Sequence, residues 1–156
     1  PQLPAGNGSS PFDGDGLPTG EQAFVEDGIL TSFALSLYAS RRLGMSPTGN
    51  GGGVRNLRVT DTGESLEALM ARVPKGILIT EVMGQGVNMV TGDYSRGASG
   101  FLFENGRITS PVQEFTIAGH LAEMLRGIQG SGTDVDYRGN IACGSLLLSP
   151  MKIAGR

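Results

Sequence analysis

The sequence holds one histidine, His120, one cysteine, Cys143, and no tryptophan. A structural zinc site takes four protein ligands and a catalytic one three, and a thiol nucleophile needs an activating base beside it. One residue of each kind is too few for a self-sufficient metallo- or triad hydrolase. A lone cysteine excludes an internal disulfide, so the expected setting is a soluble, reducing compartment. No segment approaches the ~20 consecutive apolar residues of a membrane-spanning helix. Positive charge is also scarce. Twelve Lys and Arg stand against fifteen Asp and Glu, and no basic cluster exceeds Arg41-Arg42. That balance argues against an electrostatic surface for nucleic acid.

Glycine, by contrast, is abundant: 26 of 156 residues, well above ordinary usage, which implies many turns and irregular backbone. The length suits one domain with its own core. Residues 1–20 mix Gly, Pro, Ser and Asp and read as a loop or linker leading from an upstream domain, consistent with a chain that begins at Pro1. Residues 21–156 form the domain proper in this reading.

Along that domain, Asp27-Gly28 marks a β-hairpin between residues 22–26 and 29–35, and Ser36 caps a short helix through Leu43 that Gly44 stops. A strand is expected at residues 57–60. Ser65 then caps a helix with Leu66, Leu69, Met70 and Val73 on one face, closed by Pro74. Residues 76–82 are rich in β-branched side chains and predict a buried central strand, with residues 87–90 as its neighbour. Asn105-Gly106 predicts a two-residue hairpin between 100–103 and 107–110. Further strands are expected at 113–118, 134–137 and 145–148, and a helix from Leu121 to near Gly130. Strands outnumber helices, and the helices are too few to act as crossovers for a parallel sheet. The predicted class is α+β: an antiparallel β-rich, barrel-like or two-sheet domain with two or three short helices.

Three glycine clusters, at 49–53, 84–86 and 127–132, lack the strand-glycine-helix context of a phosphate cradle and read as turns. His120 starts a helix without the second histidine of a zinc-protease motif, so a polar helix start is the plainer reading. Asp93, Tyr94, Ser95 and Arg96 form a polar cluster on a predicted loop, and loops are where binding residues concentrate. Glu81 and Glu104 are not placed together by anything in the sequence. Cys143 is open to two readings, a buried structural thiol or a metal ligand.

The run Glu81-Val82-Met83-Gly84-Gln85-Gly86-Val87, then residues 91–101 (TGDYSRGASGF), then Glu104-Asn105-Gly106, resembles the PmbA (TldE) branch of the TldD/PmbA family. The likeness extends to Asp27-Gly28-Ile29-Leu30, to Ser40 through Met45, to Phe115 through Gly119, to Ile141 through Gly144 and to Pro150 through Gly155. The resemblance implies the C-terminal domain of a longer protein. In that family TldD-type subunits are zinc metallopeptidases: an upstream HExxxH helix supplies two histidine ligands and a glutamate base, and a Cys-Gly pair near the C-terminus supplies the third ligand. Cys143-Gly144 matches that pair. PmbA-type subunits lack the HExxxH helix, which implies no cofactor in this chain and zinc in a TldD-type partner. Position 120, His here, is more often asparagine in related sequences.

The implied function is the non-metal-binding half of a two-subunit cytoplasmic peptidase acting on unfolded peptides, with Asp93, Tyr94, Ser95 and Arg96 as candidate substrate contacts. Direct nucleic-acid and membrane binding are not expected. An active zinc peptidase with Cys143 as third ligand is the first alternative, and a regulator of DNA gyrase the second.

Overall fold

The computed structural model describes residues 2–155; Pro1 and Arg156, and with Pro1 the expectation attached to the start of the chain, lie outside the described residues. The chain divides into two compact units, one of Pro1–Val59 with Asp136–Ala142 and one of Thr60–Val135 with Cys143–Arg156.

In the first unit, β1 (Val25–Glu26) and β2 (Ile29–Leu30) form the expected hairpin, shortened to two residues per strand. Asp27 and Gly28 both take positive φ, as a type I′ turn requires. Helix α1 (Leu37–Leu43) is bounded as predicted: the Ser36 hydroxyl accepts the Ala39 N–H, and Gly44 closes it in the left-handed conformation. Strand β3 (Leu57–Arg58) pairs in parallel with β8 (Ile141–Ala142), a two-residue exception within the expected antiparallel-rich class. A parallel pair needs a long return connection, not necessarily a helix, and the whole segment between these strands provides it.

The interior of this unit is polar. Asp13, Thr19, Ser40 and Asn50 are buried there, as is the apolar Leu35. Burial by itself would push the Asp13 carboxyl up. Hydrogen bonds from the Gly51, Leu17 and Asp15 amides, with the charge of Arg55, outweigh it and hold the carboxyl below its ordinary value. Residues 2–20 carry no named helix or strand, and are fastened by that carboxylate and by the Gly8 amide donating to the Asn56 side chain.

In the second unit, Ser65 caps α2 (Leu66–Ala71) as predicted. An open antiparallel sheet follows in the order β10-β6-β5-β4, where β4 is Lys75–Met83, β5 Asp93–Glu104, β6 Arg107–His120 and β10 Lys152–Ala154. The sheet has two edges, so the barrel-like alternative is not realised. Asn105 and Gly106, both with positive φ, join β5 to β6. Beyond that turn β6 absorbs the predicted strand 113–118, carrying an irregularity at Glu114, whose φ is positive. The inner face of the sheet holds Ala98, Phe115 and Ile117, against which Ile77, Tyr94, Val112 and Met151 pack.

Several expectations fail here for physical reasons. β4 is an edge strand rather than a central one, because a β-branched run fits a half-covered edge as well as a buried centre. Its partner is β5. Residues 87–90 make only an isolated bridge, Val87 to Tyr94, and Met89 and Val90 are 81% and 95% exposed. Helix α3 (Leu121–Arg126) ends at Gly127, not near Gly130, because Ile128 already belongs to β7 (Ile128–Ser131), which pairs with β9 (Leu146–Leu148). Residues 134–137 form no named strand; Asp134 hydrogen bonds to Ser145 instead.

Candidate functional site

The residues of the 91–101 run are locked to the segment before them by a dense set of short-range bonds. Asn88 organises it: its side-chain oxygen accepts from the Val90 and Thr91 amides, its carbonyl from Gly92, and its own amide donates to the Asp93 carbonyl. The Ser95 amide donates to the Gly86 carbonyl at 2.6 Å. Gly86 therefore lies where a Cβ would run into the Ser95 carbonyl oxygen. Gly92, at φ 84°, carries the His120 ring where its own side chain would be. Two of these glycines are thus fixed by close approach of backbone or ring, rather than by a phosphate site.

Asp93, Tyr94, Ser95 and Arg96 open strand β5 and are not on a loop, which corrects the predicted placement. The Asp93 carboxylate accepts from the Thr91 hydroxyl at 2.6 Å. Tyr94 packs against the inner face of the sheet. Arg96 donates to the Val82 and Met83 carbonyls and so ties down the end of the edge strand. Ser95 is exposed, and its hydroxyl has no bonding partner among the described residues. Three of the four side chains thus have structural work, and Ser95 and the exposed rim of Asp93 remain available to a ligand. Glu81 reaches the Ser99 hydroxyl and Glu104 pairs with Lys75, so the two carboxylates are engaged separately.

His120 is the N-cap of α3. Its Nδ1 accepts the Ala122 N–H at 3.2 Å, and its Nε2 lies 2.9 Å from the Thr91 carbonyl. One neutral tautomer, protonated on Nε2, satisfies both contacts. Asparagine, favoured at N-caps, would satisfy the first. His120→Ala is expected to lower stability by about 1 kcal/mol and His120→Asn to change it by less than about 0.5 kcal/mol. Equal losses in urea denaturation of the two variants would remove the cap from the account.

Cys143 begins the second candidate feature. Its thiol donates to the Gly144 carbonyl at 3.2 Å, and it is half-buried. The next residue, Gly144, passes so close to the Gly132 carbonyl that a Cβ would overlap it, and the Gly132 amide donates to the Ser145 carbonyl at 2.7 Å. Asp134 completes the arrangement by accepting from both the Ser145 hydroxyl, at 2.7 Å, and the Ser145 amide, at 3.0 Å. Burial pushes the Asp134 carboxyl up, but the Ser145 hydroxyl and amide together hold it below its ordinary value. Sequence reasoning missed this clamp, because its partners are eleven residues apart and neither has a distinctive neighbour.

The Cys143 thiol is pushed up, first by burial and then by the nearby Asp134 charge. A thiolate is the form that binds metal or attacks, and these surroundings favour the thiol. Among the described residues no three His, Cys, Asp or Glu side chains converge on a metal position. Cys143 is thus a single potential ligand among the described residues.

The linkage has a definite sign. The unfolded thiol ionises near its ordinary value of 9.0 and the folded one later, so stability is full below pH 9 and falls as pH rises above it. Cys143→Ala should flatten that alkaline decline, as measured by urea denaturation across pH 8 to 10.5, a window of roughly one unit below and above the thiol's titration. An unchanged slope would show that other groups carry it.

Comparison with known proteins adds four findings. The sequence model of the family described as the PmbA/TldA metallopeptidase C-terminal domain matches residues 1–155. Metalloprotease PmbA of Escherichia coli is 49% identical over 156 residues, covering 100% of this chain and 35% of that protein. The metalloprotease TldD homologue of Haemophilus influenzae is 31% identical over 132 residues, 78% of this chain and 27% of that protein. Among solved structures, a Thermotoga maritima protein described as a candidate modulator of a DNA gyrase matches with a TM-score of 0.87 at 38% identity, over 97% of this chain and 37% of that one. The chain spans about a third of the length of the curated relatives it matches.

Proposed function

Because this chain belongs to the PmbA/TldD metallopeptidase family, in its PmbA branch, and is the family's C-terminal domain, we propose that it serves a PmbA-type subunit that pairs with a TldD-type zinc subunit in the proteolysis of unfolded peptides. In this reading an upstream domain precedes residues 1–20, the setting is cytoplasmic, and zinc is held by the partner. The observation that carries it is the match of residues 1–155 to the family's C-terminal domain together with the 49% identity to metalloprotease PmbA over the whole chain.

Peptide contact falls to two features of the second unit. The outer edge of β4 leaves main-chain groups available to an added strand, a mode that binds extended peptides with little side-chain selectivity. Ser95 and Asp93, with Tyr94 and Arg96 holding the strand beneath them, offer polar contacts at the start of β5. No step of peptide hydrolysis is assigned to a residue of this chain.

The second reading, an active zinc peptidase with Cys143 as third ligand, draws its support from the name metalloprotease carried by the Escherichia coli relative. One experiment separates the two: purification of the full-length protein with and without a TldD-type subunit, followed by zinc analysis of wild type and Cys143→Ser.

A further inference from the structure

His120 is placed so that one proton decides what it can hold. With that proton on Nε2 alone, the ring donates to the Thr91 carbonyl at 2.9 Å and its Nδ1 accepts the Ala122 amide at 3.2 Å. A second proton, on Nδ1, turns that acceptor into a donor. Two N–H groups then face each other and the Ala122 amide loses its partner. The added charge also stands at the start of α3, where exposed amides favour an acceptor or an anion over a cation. The other two helices lack this dependence. Ser36 and Ser65 cap α1 and α2 with hydroxyls, which accept a hydrogen bond whether or not a histidine elsewhere is charged.

What the cap holds extends beyond α3. The Leu121 amide donates to the Gly92 carbonyl at 2.7 Å, and the His120 ring fills the space where a Cβ on Gly92 would stand. The Gly92 amide in turn donates to the Asn88 carbonyl. The first turn of α3 and the 88–92 turn thus meet at one imidazole.

The sheet offers the protonated ring a second partner. Asp93 is the cross-strand partner of His120 between β5 and β6, so the two side chains project from the same face. The Asp93 carboxylate accepts from the Thr91 hydroxyl through Oδ2, and a carboxylate has room for further donors. Glu123, in the first turn of α3, is a second carboxylate on the helix itself. Lys152 lies opposite Ala118 on the same sheet face and opposes the added charge, while Arg126 sits in the last turn of α3. Residues 88–92 carry no charged side chain.

We propose that His120 is a proton-operated latch: neutral, it closes the start of α3 onto the 88–92 turn, and protonated, it gives up the Ala122 amide for Asp93 and loosens both. Histidine is the side chain that ordinarily changes charge between about pH 5 and pH 8, so acidification across that range opens the latch. The inference needs neither a zinc partner nor a bound peptide, and it can fail while the functional reading stands.

The test is amide hydrogen exchange of the full-length protein at about pH 8 and about pH 5, read by mass spectrometry and corrected for the intrinsic pH dependence of exchange. Protection of residues 121–126 should fall about fivefold at the lower pH, the usual worth of an N-cap, with residues 88–93 following in the same direction. Helix α2, capped by serine, should change by less than about twofold. In His120→Asn, whose side-chain oxygen accepts at both pH values, α3 should also stay within about twofold. Unchanged protection of α3 in the wild type, an equal loss in α2, or the same loss in the asparagine variant overturns the proposal. The comparison of α2 with α3 uses the wild type alone, so it decides even if the variant does not fold.

Discussion

Gly86→Ala is expected to lower stability by roughly 3 kcal/mol, while Gly20→Ala stays within about 0.5 kcal/mol of the parent. At Gly86 an added Cβ overlaps the Ser95 carbonyl oxygen, a backbone atom in strand β5 that cannot rotate away. The same two residues are joined by the Ser95 amide bond to the Gly86 carbonyl, so separating them to make room also breaks that bond. At Gly20 nothing lies within 4 Å of the added atom. The effect should spread along the Asn88 bonding set to the start of β5, where Asp93 and Ser95 stand. Urea denaturation with amide exchange of residues 86–96 measures both parts. A Gly86→Ala protein as stable as the parent would show that this close approach is not a feature of the fold.

Leu69→Ala carries the second large effect, about 3 kcal/mol. Leu69 is 2% exposed, and its Cδ2 lies 2.7 Å from where a Cβ on Gly130 would stand. Helix α2 thus places its main apolar side chain against the bare backbone of β7. Truncation leaves a void that the strand cannot readily fill. Gly130→Ala alone overpacks the same spot, so the two substitutions should partly compensate. The double variant is expected to be more stable than the sum of the single losses by about 1 kcal/mol. Strict additivity would mean that the two positions do not share a space.

How much of this was legible depended on the range of the interactions. The Ser36 and Ser65 caps, the Gly44 stop and the two type I′ turns were readable because each is decided within four or five residues. The status of β4 was not. Whether a strand is an edge depends on which partners arrive, and β10, the strand at the opposite edge, lies at the far end of the sequence. The polar run 93–96 read as a loop because composition alone does not show that Tyr94 and Ala98 share the inner face. At the candidate site, Cys143 was identified from its Cys-Gly neighbour. The Asp134 and Ser145 clamp beside it was not, since it depends on residues brought together by folding.

The central claim is that this domain belongs to a subunit that depends on a TldD-type partner for its metal. Its most direct test is zinc content by mass spectrometry of the full-length protein, purified alone and together with a TldD-type subunit, for wild type and Cys143→Ser. The account predicts that the protein purified alone holds no stoichiometric zinc, that the complex forms and holds it, and that Cys143→Ser leaves the zinc of the complex unchanged. Stoichiometric zinc in the protein purified alone, lost on Cys143→Ser, would contradict it.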